Sequence, residues 1–290
     1  MIRYPRRHGI ASWLYAILCV LWFFSAAAHA APPGKPLVMG LTPNLSPRSM
    51  LAAYQPLRQG LELRLARPVA LYTAPDFRQF YLRSVAGEYD LVLMLAHFAR
   101  LAQIEAGFIP IAKFIPMQEG VVLVAKNSYI KRESDLQGKR IVLVDNLALV
   151  TLQAEDWLRA HGLTPGSNAF THHNAAVDAV INGYADAAIV ASAPFASMPR
   201  DMREAVRVLA TTGKIPSNVF MANPRLSQAD IRQLQAVLLD FARHSDAGHN
   251  FLARYQYQAI VPLAINELKA MDIYAERAKR IMDAQGRTGG

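Results

Sequence analysis

The stretch "AFTHHNAAVDAVINGYADAAIVAS", residues 169–192, carries the pattern that decides the fold. A short apolar run leads into a helix-forming segment that starts near Asn174, and a second apolar run, "AAIVAS", follows it. Two adjacent histidines, His172 and His173, stand where the first run meets the helix. A strand, a helix and a strand in this order favour a parallel strand pair joined by a crossover helix.

The same alternation extends through most of the chain. The first half contains a strand, a helix, a strand, a helix and a strand in turn, over residues 35–41, 46–66, 68–74, 76–87 and 89–95. The second series adds a strand, a helix and the unit quoted above, over residues 139–145, 149–162 and 168–192. Amphipathic helices are predicted near the C-terminus, over residues 228–244 and 265–282. These two series predict an α/β protein with two mostly parallel sheets flanked by helices.

Chain length favours two lobes over one compact core, because about 260 residues remain beyond the N-terminal segment described below. We predict a first lobe over residues 37–124 plus 218–290 and a second lobe over residues 125–217. No low-complexity linker separates them. The chain is therefore expected to cross between lobes through short extended pieces near residues 124–126 and 217–219.

The N-terminus has the three parts of a secretory signal peptide. Residues 1–9 contain three arginines and no acid, and an apolar run follows over residues 10–24. The small-x-small motif "AHA" at residues 28–30 is typical of a cleavage site. We predict that residues 1–30 are removed and that the mature protein starts at Ala31 in the periplasm. The alternative is an uncleaved membrane anchor, although this apolar run is shorter than the roughly 20 residues that a helix needs to span a bilayer.

Composition excludes several classes of site. Cys19 is the single cysteine and lies in the predicted signal peptide, so the mature chain would have no disulfide, thiolate metal site or cysteine nucleophile. The whole chain has 31 Lys and Arg against 22 Asp and Glu, and its basic residues are scattered, which does not indicate a nucleic-acid groove.

Sequence motifs give no support to an enzyme. The chain contains no G-x-S-x-G, P-loop, G-x-G-x-x-G or H-E-x-x-H motif, so we predict no catalytic residue and no cofactor. A histidine-based metal site on His97, His172 and His173 is an alternative, but no carboxylate or thiol is spaced to complete it.

The turns after the predicted strands are where a ligand is expected. In parallel sheets, ligands bind beyond the carboxyl ends of strands, where helix N-termini present free N–H groups. Six such turns occur, at residues 42–44, 74–76, 96–98, 145–147, 172–174 and 192–194. They would converge if the two lobes face each other.

Four segments resemble a known family. "SDLQGKRIVLVD" (residues 134–145) and "HNAAVDAVINGYADAAIV" (173–190) are similar to the second lobe of type II periplasmic substrate-binding proteins of the phosphate, phosphite and phosphonate ABC-transporter branch. "GLTPNLSPRSMLAAYQPL" (40–57) and "DFRQFYLRSVAGEYDLVLMLAHFAR" (76–100) resemble its first lobe. The resemblance implies a type II periplasmic-binding-protein-like fold that closes on a small molecule.

The resemblance also implies partners. We expect a small-molecule ligand, an ABC permease in the inner membrane, a monomeric state and no nucleic acid. Some similar proteins are instead ligand-sensing partners of a membrane sensor kinase, and the sequence does not separate the two roles.

His173 falls where the phosphonate branch has a cleft histidine that contacts an anionic head group. His172 would point to the opposite face, because adjacent residues at a strand end alternate. His97 would face His173 across the cleft from the other lobe. The alternative is that Asn174 caps the helix and both imidazoles are loop residues.

Other positions depart from the family pattern. Ala148, Leu149 and Val150 stand where similar proteins have hydroxyl side chains that hold the head group. Phe77 and Arg100 likewise replace common tyrosines. These departures predict a small polar ligand that is less charged than a phosphonate dianion or partly apolar, with an oxyanion left as a candidate. The predicted ligand-binding residues are Asn44, Phe77, His97, Asn146, Leu147, His173 and Ser192.

Overall fold

The computed structural model describes residues 35–164, 169–170 and 172–288. The predicted signal peptide, its cleavage site and Cys19 lie outside the described residues. Two mixed β-sheets, each packed against helices, make up the structure. Within the described ranges, no helix combines the length and apolarity needed to span a bilayer.

The strands are β1 (Leu37–Leu41), β2 (Val69–Tyr72), β3 (Leu91–Met94), β4 (Ile109–Ile115), β5 (Gln118–Ala125), β6 (Ile141–Val144), β7 (Ala169–Phe170), β8 (Ala187–Ala191), β9 (Val206–Ile215), β10 (Val219–Ala222) and β11 (Ala259–Pro262). The helices are α1 (Pro47–Leu65), α2 (Phe77–Val85), α3 (Ala96–Ala106), α4 (Leu149–Ala160), α5 (His173–Ile181), α6 (Ser192–Ala196), α7 (Arg200–Ala205), α8 (Gln228–His244), α9 (Asp246–Arg254) and α10 (Asp272–Thr288). Single 3-10 turns cover Glu133–Leu136 and Glu267–Met271.

The first sheet has the strand order β11-β4-β10-β3-β1-β2. β1 pairs in parallel with β2 and β3, whereas β10 runs antiparallel to β3 and β4, and β11 runs antiparallel to β4. Four of its six strands therefore point the same way. β3, "LVLM", is buried along its whole length, as expected for a strand covered on both faces. We call this sheet with its helices the first lobe.

The second sheet has the order β7-β6-β8-β5-β9. β6 pairs in parallel with β7 and β8, and β5 runs antiparallel to β8 and β9. Four of its five strands share one direction. The predicted α/β fold with two mostly parallel sheets is confirmed, and we call this sheet with its helices the second lobe.

Local signals explain several helix ends. α2 starts after Asp76, whose side chain accepts from the Gln79 N–H at 2.6 Å, and the chain leaves it through Gly87 at a φ of 79°. The alternative considered above, that Asn174 caps α5, is wrong. His172 holds the cap position without a side-chain hydrogen bond, and the His173 N–H donates to Asn44 O at 3.2 Å.

The chain crosses between sheets at two hydrogen-bonded segments. Ser217 Oγ donates to Pro116 O at 3.0 Å, and Gln118 at the start of β5 pairs with Ile215 at the end of β9. The first crossing precedes β5, whereas the sequence placed it near residues 124–126. β5 therefore pairs within the second sheet, whereas the predicted boundary assigned it to the first lobe. The other lobe boundaries stay a prediction.

Candidate functional site

Turns from the two lobes meet directly. His97 Nε2 of the first lobe donates to Leu147 O of the second at 3.0 Å. In the opposite sense, His172 Nδ1 donates to Pro43 O at 3.2 Å, beside the bond from the His173 N–H to Asn44 O. The structure thus brings together four of the predicted site residues, Asn44, His97, Leu147 and His173.

His97 is a fully buried, neutral imidazole. It is the second residue of α3, its exposed fraction is 0%, and its ring lies 4.5 Å from that of Phe98. Burial lowers the pKa of His97 to about 3, although the hydrogen bond to the Leu147 carbonyl opposes this shift. Because Nε2 carries the proton, Nδ1 is an acceptor, and it has no hydrogen-bond partner among the described residues.

His173 is neutral for the same reason. It begins α5 with an exposed fraction of 2%, and its Nδ1 faces the Ala191 N–H at 3.4 Å. Burial lowers the pKa of His173 to about 3, and the neighbouring His172 lowers it further. At pH 7, neither cleft imidazole therefore offers a positive charge to a ligand.

The turn before α4 is apolar and closed. Ala148 holds the cap position of α4, where it makes no side-chain hydrogen bond, and Leu149 and Val150 are buried beside it. Thr151 Oγ1 donates to Val144 O at 3.2 Å, so that its hydroxyl is used within the lobe. Asp145 accepts from the N–H groups of Leu147 and Phe77, while burial raises its pKa.

Three other predicted residues occupy different places. The Phe77 side chain is buried in the core, 6.5 Å from the Phe98 ring, and only its N–H reaches the other lobe. Asn146 is exposed and accepts from Gln285 of α10 at 3.4 Å. Ser192 Oγ accepts from the Glu119 N–H at 3.0 Å inside the second lobe. None of these three side chains lines the cavities described next.

Two small cavities lie between the lobes, with volumes of ≈ 20 and ≈ 10 Å³. The larger has room for about one water, so the cleft is closed in this structure. Their described linings contain no charged side chain. Asn44, Gln118 and Asn218 line both cavities, and the 7% exposed Gln118 has an Oε1 without a partner among the described residues.

The larger cavity also has a wall of three tyrosines, Tyr54, Tyr255 and Tyr257. Burial raises the pKa of all three, which keeps their hydroxyls protonated. Sequence reasoning missed Gln118, Asn218 and these tyrosines. The available signal was that Asn218 is a polar residue directly before the apolar run of β10, and that Gln118 is a polar residue shortly before the apolar run of β5.

Helix α10 of the first lobe also contacts the second lobe. Arg277 donates to Leu152 O at 3.0 Å and pairs with Asp156 at 3.1 Å and with Glu155. Arg100, which stands in place of a common tyrosine, pairs with Asp272 at 2.5 Å. The contacts of Arg277 add to the hydrogen bonds that close the cleft.

No metal site is found among the described residues, where no three His, Cys, Asp or Glu side chains lie together as ligands. His97 Nε2 and His172 Nδ1 each donate to a carbonyl group of the opposite lobe. The alternative of a histidine-based metal site therefore gains no support from the described ranges.

Solved structures share this fold. A binding-protein component of a phosphonate ABC transporter from Pseudomonas aeruginosa has a TM-score of 0.73 at 13% identity, covering 86% of this chain and 89% of that chain. PhnD1 from Prochlorococcus marinus, solved with methylphosphonate, has a TM-score of 0.74 at 14% identity, covering 84% and 98%. The aliphatic sulphonate binding protein SsuA from Escherichia coli has a TM-score of 0.58 at 18% identity, covering 85% and 87%. These likenesses show a type II periplasmic-binding-protein fold.

No curated protein matches the sequence at a significant level. Residues 39–268 do match a family model, described as the periplasmic substrate-binding protein of a phosphonate ABC transporter. This match covers most of the chain and both sheets. The chain therefore belongs to the family of periplasmic substrate-binding proteins of phosphonate ABC transporters.

Proposed function

We propose that this protein is exported and captures a small polar ligand of low charge between its lobes for an ABC-type importer. Membership of the family supports a solute-binding role, a small-molecule ligand, a membrane permease as partner and a periplasmic location. The family consists of transport components and not of enzymes. The low charge of the ligand is our inference from the chain's own residues.

One observation carries that inference: the inner cavities have no charged residue in their described linings. A phosphonate dianion removed from water needs several donors or cations, since an unpaired buried charge is very costly. Here the lining groups include the neutral imidazole of His173, carboxamides and tyrosine hydroxyls. Such groups match a neutral ligand that both donates and accepts hydrogen bonds.

Two other roles were considered from the sequence. A sensor-kinase partner would share this fold, but no contact or surface among the described residues favours it. A metal-binding role would need a set of clustered ligands, which the described residues lack. Uptake is therefore the role that we develop.

Export can be tested at the N-terminus. We expect the mature protein to begin at Ala31 and to be released with the soluble periplasmic fraction, because residues 28–30 form a signal-peptidase motif. N-terminal sequencing of protein from that fraction checks the position. Full-length chain retained in the membrane fraction would show that residues 10–24 act as an anchor.

Closure can be tested by small-angle scattering. Solute bound during expression is first removed by unfolding, dialysis and refolding, and the small-molecule fraction of a periplasmic extract is then added back. We expect the radius of gyration to decrease on addition, because a ligand in the cleft contacts both lobes only in the closed state. Identical profiles before and after addition, with binding shown by calorimetry, would contradict a two-lobe clamp.

A further inference from the structure

A third and larger cavity lies between the lobes, beside the closed cleft. We call it the outer groove, and its volume is ≈ 340 Å³. The first lobe contributes the start of α1 and the end of α9, and the second contributes the start of α5 and the segment from α6 to α7. This volume lies within the range of about 300 to 1,000 Å³ typical of small-molecule sites, whereas each inner cavity holds at most about one water.

The outer groove is positively charged. Arg48 and Arg254 line it, and its described lining contains no Asp or Glu. Both arginines are exposed, and neither forms an ion pair with a carboxylate within the described ranges. By contrast, Arg277 and Arg100 each have acidic partners. A guanidinium without a carboxylate partner is available for an oxyanion, which it can bind through two parallel hydrogen bonds.

Polar and apolar groups complete the outer groove. Asn174 lines it, and its Oδ1 is buried without a hydrogen-bond partner in the described part of the chain. Rotating this carboxamide by half a turn would present Nδ2 as a donor instead, since the two orientations fill the same space. Met198 and Met202 form an apolar wall from the second lobe.

We propose that the outer groove binds small molecules that carry an oxyanion on an apolar body. The oxyanion, a phosphonate or a carboxylate, lies between Arg48 and Arg254 with Asn174 as a further donor. The apolar body packs on Met198 and Met202. Because these residues come from both lobes, an occupant stabilises the closed arrangement from a position outside the inner cleft. This second site does not depend on the ligand proposed for the cleft.

Titration calorimetry at low ionic strength tests this proposal on protein purified from the periplasm. Phenylphosphonate, benzoate and benzyl alcohol share one apolar ring and differ in charge. We expect phenylphosphonate to bind more tightly than benzoate, and benzyl alcohol to give no detectable heat. Added salt should weaken both anions, because the two arginines are exposed.

Variants locate the site. Arg48→Gln and Arg254→Gln should each weaken phenylphosphonate binding by about fivefold, the scale of an exposed ion pair. Arg232→Gln is the matched control, because Arg232 is exposed on α8 away from the outer groove, and its affinity should equal that of the parent protein. Equal losses in all three variants would show a nonspecific charge effect and would overturn the proposal.

The variant His173→Gln distinguishes binding in the inner cleft from binding in the outer groove. We expect this variant to bind phenylphosphonate as the parent protein does. If affinity falls in His173→Gln and not in the arginine variants, the anion binds in the cleft, and both the outer groove and the low charge of the cleft ligand are contradicted. If the parent protein binds no phenylphosphonate, only the outer groove is overturned.

Discussion

We expect methylphosphonate, phosphite and phosphate to bind in the inner cleft two to four orders of magnitude more weakly than they would in a cleft with a full set of hydroxyl donors. Ala148, Leu149 and Val150 are apolar and buried at the turn where similar proteins have hydroxyl groups. Each hydrogen bond to a charged group contributes about 1.5 to 3 kcal/mol. Loss of two such bonds gives the expected range.

The neutral histidines do not replace those donors. A protonated His173 would offset part of the loss, but its pKa of about 3 leaves it uncharged at pH 7. Calorimetry against the three anions at pH 7 measures the effect. Submicromolar binding of any of them, abolished in His173→Ala, would contradict a cleft ligand of low charge and would place the protein with the ordinary phosphonate receptors.

Ala148→Ser is the matched gain-of-function variant. A serine at the cap position of α4 supplies one hydroxyl and suits a helix N-terminus, so the variant should be at least as stable as the parent protein. We expect it to strengthen methylphosphonate binding by about tenfold, the effect of one charged hydrogen bond. No change on this substitution would show that the α4 turn does not contact the anion.

A decrease of pH from 7 to 4.5 should lower the free energy of unfolding by about 2 kcal/mol for each of His97 and His173. Their pKa values are about 3 in the folded protein and 6.5 in a free side chain. Between these values, the unfolded chain takes up protons that the folded chain does not. Stability from this source is therefore complete above pH 6.5 and decreases as the pH falls toward 3.

Urea unfolding at pH 7 and pH 4.5, followed by circular dichroism, measures this loss. His97→Gln keeps a side-chain donor for the Leu147 carbonyl but cannot be protonated, so it should lose about 2 kcal/mol less on acidification than the parent protein does. His249→Gln makes the same substitution at an exposed position and is the matched control. Equal acid losses in the parent protein and His97→Gln would show that His97 is already solvated in the folded state.

Elements with strong periodicity were predictable from the sequence. The helix at residues 228–244 has the predicted bounds, and the alternation over residues 35–95 corresponds to β1, α1, β2, α2 and β3. In contrast, the predicted final helix over residues 265–282 is a 3-10 turn followed by α10, which extends to Thr288. Polar residues dominate that segment, and its periodicity therefore defines the helix ends poorly.

Antiparallel strands were the main omission. β9 pairs with β5 at the edge of the second sheet, and most of its residues are at least partly exposed, so it lacks a continuous apolar run. β4 and β11 were also not predicted. Their pairing joins residues that are far apart in the chain, as between Ile115 and Ala259. Local patterns carry little information about such partners.

The sequence by itself determined the α/β class, the two sheets and the family, because burial periodicity and helix ends are local properties; the turns where a ligand would bind stay a prediction. Tertiary structure decided which side chains face the cleft. His97 meets the Leu147 carbonyl across 50 positions of sequence, while Asn146 beside it turns outward to Gln285. Gln118 enters the cavities because the chain crosses between lobes there. Those placements follow from long-range packing, and the neutral state of both histidines follows from their burial. Neither leaves a local pattern in the sequence.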